Sequence, residues 1–187
     1  MLKNTRQTYG WVTIIIHWLM ALAIIAMFAL GLWMTGLNYY DTWYHKAPDI
    51  HKSVGMLLLF LLFFRLAWVA VNVKPEIMGQ VWERMIALMV HRMHYVLMLL
   101  VMVSGYLIPT AKGEGVSVFG WFSVPATIAN IAKQADISGF IHYWGAWAMI
   151  GLAAMHTGAA LKHHFIDGDT TLTRMLGMKR QSKGEHT

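Results

Sequence analysis

The chain has 187 residues, of which 57% are hydrophobic and only 13% charged. A soluble domain carries about 25% charged residues, so lipid rather than water is the expected solvent. There are no cysteines, which excludes disulfides, iron–sulfur clusters and the covalent attachment of c-type haem. The net charge of +6 serves as a topology signal and headgroup contact rather than as a nucleic-acid surface, so no nucleic-acid partner is expected.

Four apolar stretches reach the ~20 residues needed to cross a bilayer. The first covers residues 11–37 and contains His17. It is longer than a signal-peptide core of about 7–15 residues and no small-residue cleavage site follows it; it is expected to be retained. A short aromatic connection, residues 38–50, leads to the second span at residues 51–73, which opens on His51 and carries Arg65. The third span, residues 86–108, begins near His91, Arg92 and His94 and stops at Pro109. Residues 110–137 form a long connection with glycines at 113, 115 and 120. From Pro125 onward this connection is expected to form a short helix on the membrane surface, with Trp121 and Phe122 at headgroup depth. The fourth span covers residues 138–161 and contains His142 and His156; residues 179–187 read as a mobile tail.

Basic residues set the orientation. Lys3, Arg6, Arg65, Lys74, Arg84, Arg92, Lys162, Arg174, Lys179, Arg180 and Lys183 fall on one side, against Lys46, Lys52, Lys112 and Lys133 on the other, eleven to four. Both termini are therefore expected in the cytoplasm. The fold class is all-α: a single domain over residues 1–187, built as an integral membrane four-helix bundle.

Histidine inside a membrane span is costly and usually functional, although a packing role is the ordinary alternative. The arrangement of several histidines decides between the two. His142 and His156 are fourteen residues apart, roughly 21 Å along a helix and within ~40° of one face. His17 matches the depth of His156 near the inner surface, and His51 matches that of His142 near the outer one. Two pairs at two depths suit two stacked planar cofactors, and imidazole is a common axial ligand of haem iron. Two haem b groups, on His17 with His156 and on His51 with His142, are the expectation. Zinc would want three or four ligands converging at one depth. Gly55, Gly139, Gly145, Gly151 and Gly158 would leave room for a cofactor, or simply let helices pack closely.

Other polar residues have open roles. His91 and His94 share a helix face. Each could bond a haem propionate or sit at the interface; His94 is read as interfacial, and for His91 the two stand level. Arg65 is read as snorkelling to the inner surface, the alternative being a propionate. The methionines are read as packing. His163, seven residues past His156, is read as part of a site that gives and accepts protons. His164 beside it could do the same, or both could be a basic membrane anchor. His45 is read as solvated, and His186, in the tail, as doing nothing specific.

These motifs together resemble the bacterial cytochrome b561 family over nearly the whole chain. The resemblance rests on Ile14, His17 and Trp18 (I-x-x-H-W), on His51 to Gly55 (H-K-S-x-G), and on His91 with Tyr95 (H-x-x-x-Y). It continues with His142-Tyr143-Trp144, with MHTGAALKHHF from Met155 to Phe165, and with T-L-x-R-M from Thr171 to Met175. It implies axial ligation by the same four histidines in a bacterial inner membrane. It also implies superoxide:ubiquinone oxidoreductase activity: superoxide oxidised at the periplasmic surface, ubiquinone reduced near the inner haem around His163. Lys162 departs from the pattern, standing where a small apolar residue is expected. The alternative is a quinol-oxidising cytochrome b subunit that serves a periplasmic electron-transfer partner, because related haem b subunits occur in respiratory complexes.

Overall fold

The computed structural model describes residues 1–178; the expected tail at 179–187 lies outside the described residues. Four long helices carry the fold: α1 (Trp11–Met34), α2 (Lys46–Val71), α3 (Val81–Leu107) and α4 (Gln134–Phe165). A small antiparallel hairpin, β1 (Val116–Val118) and β2 (Phe122–Val124), and a short helix α5 (Thr171–Met175) complete it. α1 packs on α2, α2 on α3, α3 on α4 and α4 on α1, which closes a bundle.

Local chemistry explains where the helices start and stop. α2 begins a turn before His51, at Lys46. Its Pro48 falls in the first turn, where a missing N–H costs nothing. α3 begins on Gln80, whose backbone N–H donates to the Glu83 carboxylate at 2.8 Å, the reciprocal half of a capping box. It ends in a 3₁₀ turn, Pro109–Lys112, that Gly113 stops with a positive φ of 85°.

α1, α2 and α3 are long and apolar enough to cross a membrane. α4 is longer still, at 32 residues, but its glycines, histidines and tryptophans make it less apolar than those three. The apolar side chains on the outside of α1 to α3, among them Leu19, Leu22, Ile25, Phe60 and Phe63, are exposed. In water so large an apolar surface would aggregate; against acyl chains it is the stable arrangement.

The buried centre draws on all four helices. Ile16 and Met20 from α1, Leu62 from α2, Met98 from α3 and Met149 from α4 form one cluster. Met149 lies midway between His142 and His156, so this apolar plug separates the two ends of the bundle where the histidines lie.

The long connection between α3 and α4 departs from expectation. No helix forms from Pro125; that stretch is irregular up to α4. Its polar groups are claimed by neighbours instead of by a helical ladder. Tyr106 Oη donates to Pro125 O at 2.6 Å and accepts from Thr127 N–H at 2.9 Å. Asn130 N–H donates to Ala111 O at 3.0 Å. Ahead of it the hairpin turns at Phe119 and Gly120, both with positive φ (51° and 73°), as the twist of a tight hairpin requires.

Val116 and Val118 of the hairpin are buried against Met56 and Leu59 of α2. The Ser53 hydroxyl of α2 accepts the Phe119 N–H at 3.0 Å. Ser53→Ala leaves that amide without its partner, at a cost of about 1–3 kcal/mol. Amide hydrogen exchange at Val118 to Phe122 is expected to speed up while that of the four helices is unchanged; an unchanged hairpin would show that Val116 and Val118 hold it alone.

The N-terminal segment, the α2–α3 connection and α5 meet at one end of the bundle. Asn4 Oδ1 accepts from Gly10 N–H and Thr13 Oγ1, each at 2.8 Å. Trp18 Nε1 donates to Met175 O at 2.8 Å, and Arg174 donates to Glu76 O at 3.0 Å. Residues 1–10 and 171–178 therefore lie on the same side of the bundle.

Candidate functional site

At the end away from α5, His51 of α2 faces His142 of α4, with ring centroids 6.0 Å apart. The His142 Nδ1–H donates to Val101 O of α3 at 2.8 Å. A carbonyl only accepts, so the proton sits on Nδ1 and the Nε2 lone pair is free, the arrangement that metal-ligating histidines adopt. The His51 Nδ1 is buried without a hydrogen-bond partner.

A cavity of about 480 Å³ opens between the helices here, lined among others by Met27, Phe28, Gly55 and Trp147 with the two histidines. That is within the ~300–1,000 Å³ range of small-molecule and cofactor pockets. Two glycines shape it. A Cβ on Gly31 would come 3.3 Å from His51 Cε1, and one on Gly105 would come 2.8 Å from His142 Cε1. Neither glycine stands out in the sequence; each matters only because a ring from another helix lies over it. Gly55 and Gly139, flagged by the sequence, line the same cavity. Gly145 instead lets α4 approach Leu100 and Val101 of α3.

At the α5 end, His17 and His156 have ring centroids 6.4 Å apart. An imidazole nitrogen sits ~2.0–2.1 Å from a bound metal, which puts two rings on one ion with centroids about 6 Å apart; both pairs have this spacing. His91 and His94 of α3 also converge on His156, at 5.4 and 5.3 Å. His94 is therefore not an interfacial residue but part of a four-imidazole cluster, and its Nδ1–H is taken by Val90 O at 2.8 Å.

Arg65 does not snorkel. Its Nη2 lies 3.3 Å from His17 Nδ1 and its guanidinium carbon 5.5 Å from the centre of the Tyr95 ring. The reason is its position on α2, facing α1 and α3, where Met20, His17 and Tyr95 offer partners that lipid would not.

His163 and Lys162 lie a further two turns along α4. Lys162 Nζ is 2.9 Å from Glu83 Oε1 of α3 and 2.8 Å from Asp167 Oδ2. Hydrogen bonding from Lys162, reinforced by its charge, holds the Asp167 carboxyl below the usual carboxylate range. His163 Nδ1 lies 2.8 Å from Asp167 Oδ2 and 3.2 Å from Asp169 Oδ2. The lysine that departs from the family pattern is thus turned into a carboxylate pair rather than toward the bundle interior.

A model of the prokaryotic cytochrome b561 family matches residues 8–178. The chain belongs to the prokaryotic cytochrome b561 family. Cytochrome b561 homolog 2 of Escherichia coli K12 is 48% identical over 183 residues, 97% of each chain. Cytochrome b561 homolog 1 of the same organism is 30% identical, over 89% of this chain and 96% of its own. A Yersinia pestis protein named probable superoxide oxidase CybB is 31% identical, over 93% of this chain and 98% of its own. Membership of the cytochrome b561 family implies a bacterial membrane protein that transfers electrons and uses haem b. The paired imidazoles, the free Nε2 of His142 and the glycine-floored cavity fit that group.

Proposed function

We propose that this cytochrome b561 holds two haem b groups, one on His17 and His156 and one on His51 and His142, and oxidises superoxide at the outer face while reducing ubiquinone at the inner face. The observation that carries the reading is the presence of two histidine pairs, with centroids 6.4 and 6.0 Å apart, at opposite ends of one bundle. Bound there, haem b supplies one-electron redox chemistry that no side chain of this chain offers. α4 is the fourth membrane span in this reading, both termini are cytoplasmic, and the membrane is the inner one. The name of the Yersinia relative supports the choice of superoxide.

The balance is two superoxide anions, one ubiquinone and two protons giving two dioxygen molecules and one ubiquinol. The chain's own residues have three tasks. The first is to attract an anion. Lys52 lines the outer cavity next to His51 and is paired with Asp49 at 2.8 Å; Lys46, Lys112 and Lys133 make no ion pair among the described residues, but Asp41, Glu114 and Asp136 on the same face offset them, so steering of superoxide rests on their local arrangement and not on net charge. The second is to hold the electron path dry, which the Met20, Leu62, Met98 and Met149 plug does. The third is to deliver protons at the inner face, which we assign to His163.

The test is a superoxide flux on the purified protein, with and without ubiquinone. Prompt haem reduction that superoxide dismutase abolishes and ubiquinone reverses is expected. Haem bands that respond to quinol and never to superoxide would replace this reading with a quinol-oxidising subunit for a periplasmic partner. His163→Ala is expected to slow ubiquinone reduction by about 10²-fold or more with both haems retained; loss of a haem would make His163 a ligand instead.

A further inference from the structure

The turn after α4 is shaped around one imidazole. Gly168, with φ of 66°, reverses the chain so that Asp169 comes back against the helix end. There Asp169 N–H donates to His163 O at 3.0 Å, while its Oδ2 sits 3.2 Å from His163 Nδ1. Its Oδ1 accepts the Thr171 N–H at 2.8 Å, which fixes the carboxylate plane. Asp167 Oδ2 approaches the same ring nitrogen at 2.8 Å. The charged groups around the ring are then Asp167 and Asp169 from the turn, Lys162 on its own helix, and Glu83 from α3, whose carboxylate lies within 4.8 Å of the His163 and Asp167 ligand atoms.

We propose that Asp167 and Asp169 are positioning residues for proton delivery, flanking the Nδ1 edge of His163 with negative charge, though without a hydrogen bond to Nδ1, so that the opposite nitrogen, Nε2, is the one that exchanges protons with the quinone. This deepens, and rests on, the assignment of His163 to ubiquinone reduction. The ring gives one proton from Nε2 to a quinone oxygen as the electrons arrive and regains a proton at Nε2 from water at the inner surface. The two carboxylates stand on the far side of the ring and set its orientation, the place a buried aspartate takes behind a catalytic histidine. Lys162 bridges Asp167 to Glu83 and so ties the turn to the start of α3. That gives this lysine a structural task that a small apolar residue could not perform.

The test compares Asp167→Asn/Asp169→Asn with His163→Ala in the haem-loaded protein. Asparagine keeps the Thr171 cap, since its oxygen still accepts. The double variant is expected to lower kcat for ubiquinone reduction ~10-fold or more while KM for ubiquinone and the rate of haem reduction by superoxide stay within about twofold. Asp167→Glu/Asp169→Glu is expected to recover part of the lost kcat. An Asn variant with native kcat, beside a slowed His163→Ala, overturns the positioning role alone. A His163→Ala protein that reduces ubiquinone normally overturns the quinone assignment and this proposal with it. Should the double variant lose haem, Asp169→Asn alone is read by the same kcat and KM criteria.

Discussion

Gly105→Ala is expected to leave the protein with about one haem per chain in place of the two proposed, and with no response to superoxide. The added Cβ would stand 2.8 Å from His142 Cε1 and 2.9 Å from its Nδ1, closer than such atoms approach in real structures. The ring cannot retreat freely, because Nδ1 is bonded to Val101 O at 2.8 Å and Gly145 next along α4 is packed on Leu100 and Val101. Overpacking of this kind costs about 1–3 kcal/mol, on the order of 10- to 100-fold in an equilibrium constant, and here the cost falls directly on the orientation of the ligand. Gly151→Ala, on α4, meets nothing within 4 Å and is the control. Haem content and the visible spectrum measure the outcome. A Gly105→Ala protein with full haem content and native spectrum would mean that His142 is not held as a ligand over that glycine.

The second large effect is expected at His156. Its ring lies at the centre of the inner cluster, with His17, His91 and His94 at 6.4, 5.4 and 5.3 Å. His156→Ala removes the one imidazole that all the others face. The inner haem should be lost, and ubiquinone reduction should fall to background. Superoxide should still reduce the outer haem proposed at His51 and His142, since those histidines lie beyond the apolar plug. His91→Ala and His94→Ala are expected to keep both haems and to change only the inner haem's potential. If His94→Ala removes the inner haem while His17→Ala does not, the axial pair is His94 with His156, and the depth argument that chose His17 is wrong.

These two predictions draw on different kinds of information. The effect at His156 follows from rise per residue: fourteen residues of helix separate two depths wherever the helix sits in a bundle. That is why His142, His156, His17 and His51 could be sorted into inner and outer groups from their positions in the spans alone. The effect at Gly105 depends on which helix faces which, and rise per residue carries no such information. The same limit explains the other differences. Arg65 sits at a depth from which it could snorkel, but its face of α2 points at His17 and Tyr95. His94 begins its span near the surface, yet the packing of α3 on α4 brings its ring to His156.

The loop between α3 and α4 shows a second limit. VFGWFSV has the alternation and the turn glycine of a hairpin, but three-residue strands are not stable alone; burial of Val116 and Val118 against α2, with Ser53 capping the turn amide, makes them so. From Pro125 on, helical propensity lost to side chains that had already claimed the backbone. By itself, then, the sequence determined the solvent, the long helices and the depths of their histidines, because hydropathy and the helical repeat are local properties. The tertiary structure alone decided which rings meet, which glycines lie beneath them and how Lys162 is neutralised, because those depend on the azimuth of each helix, which is set by packing against its neighbours.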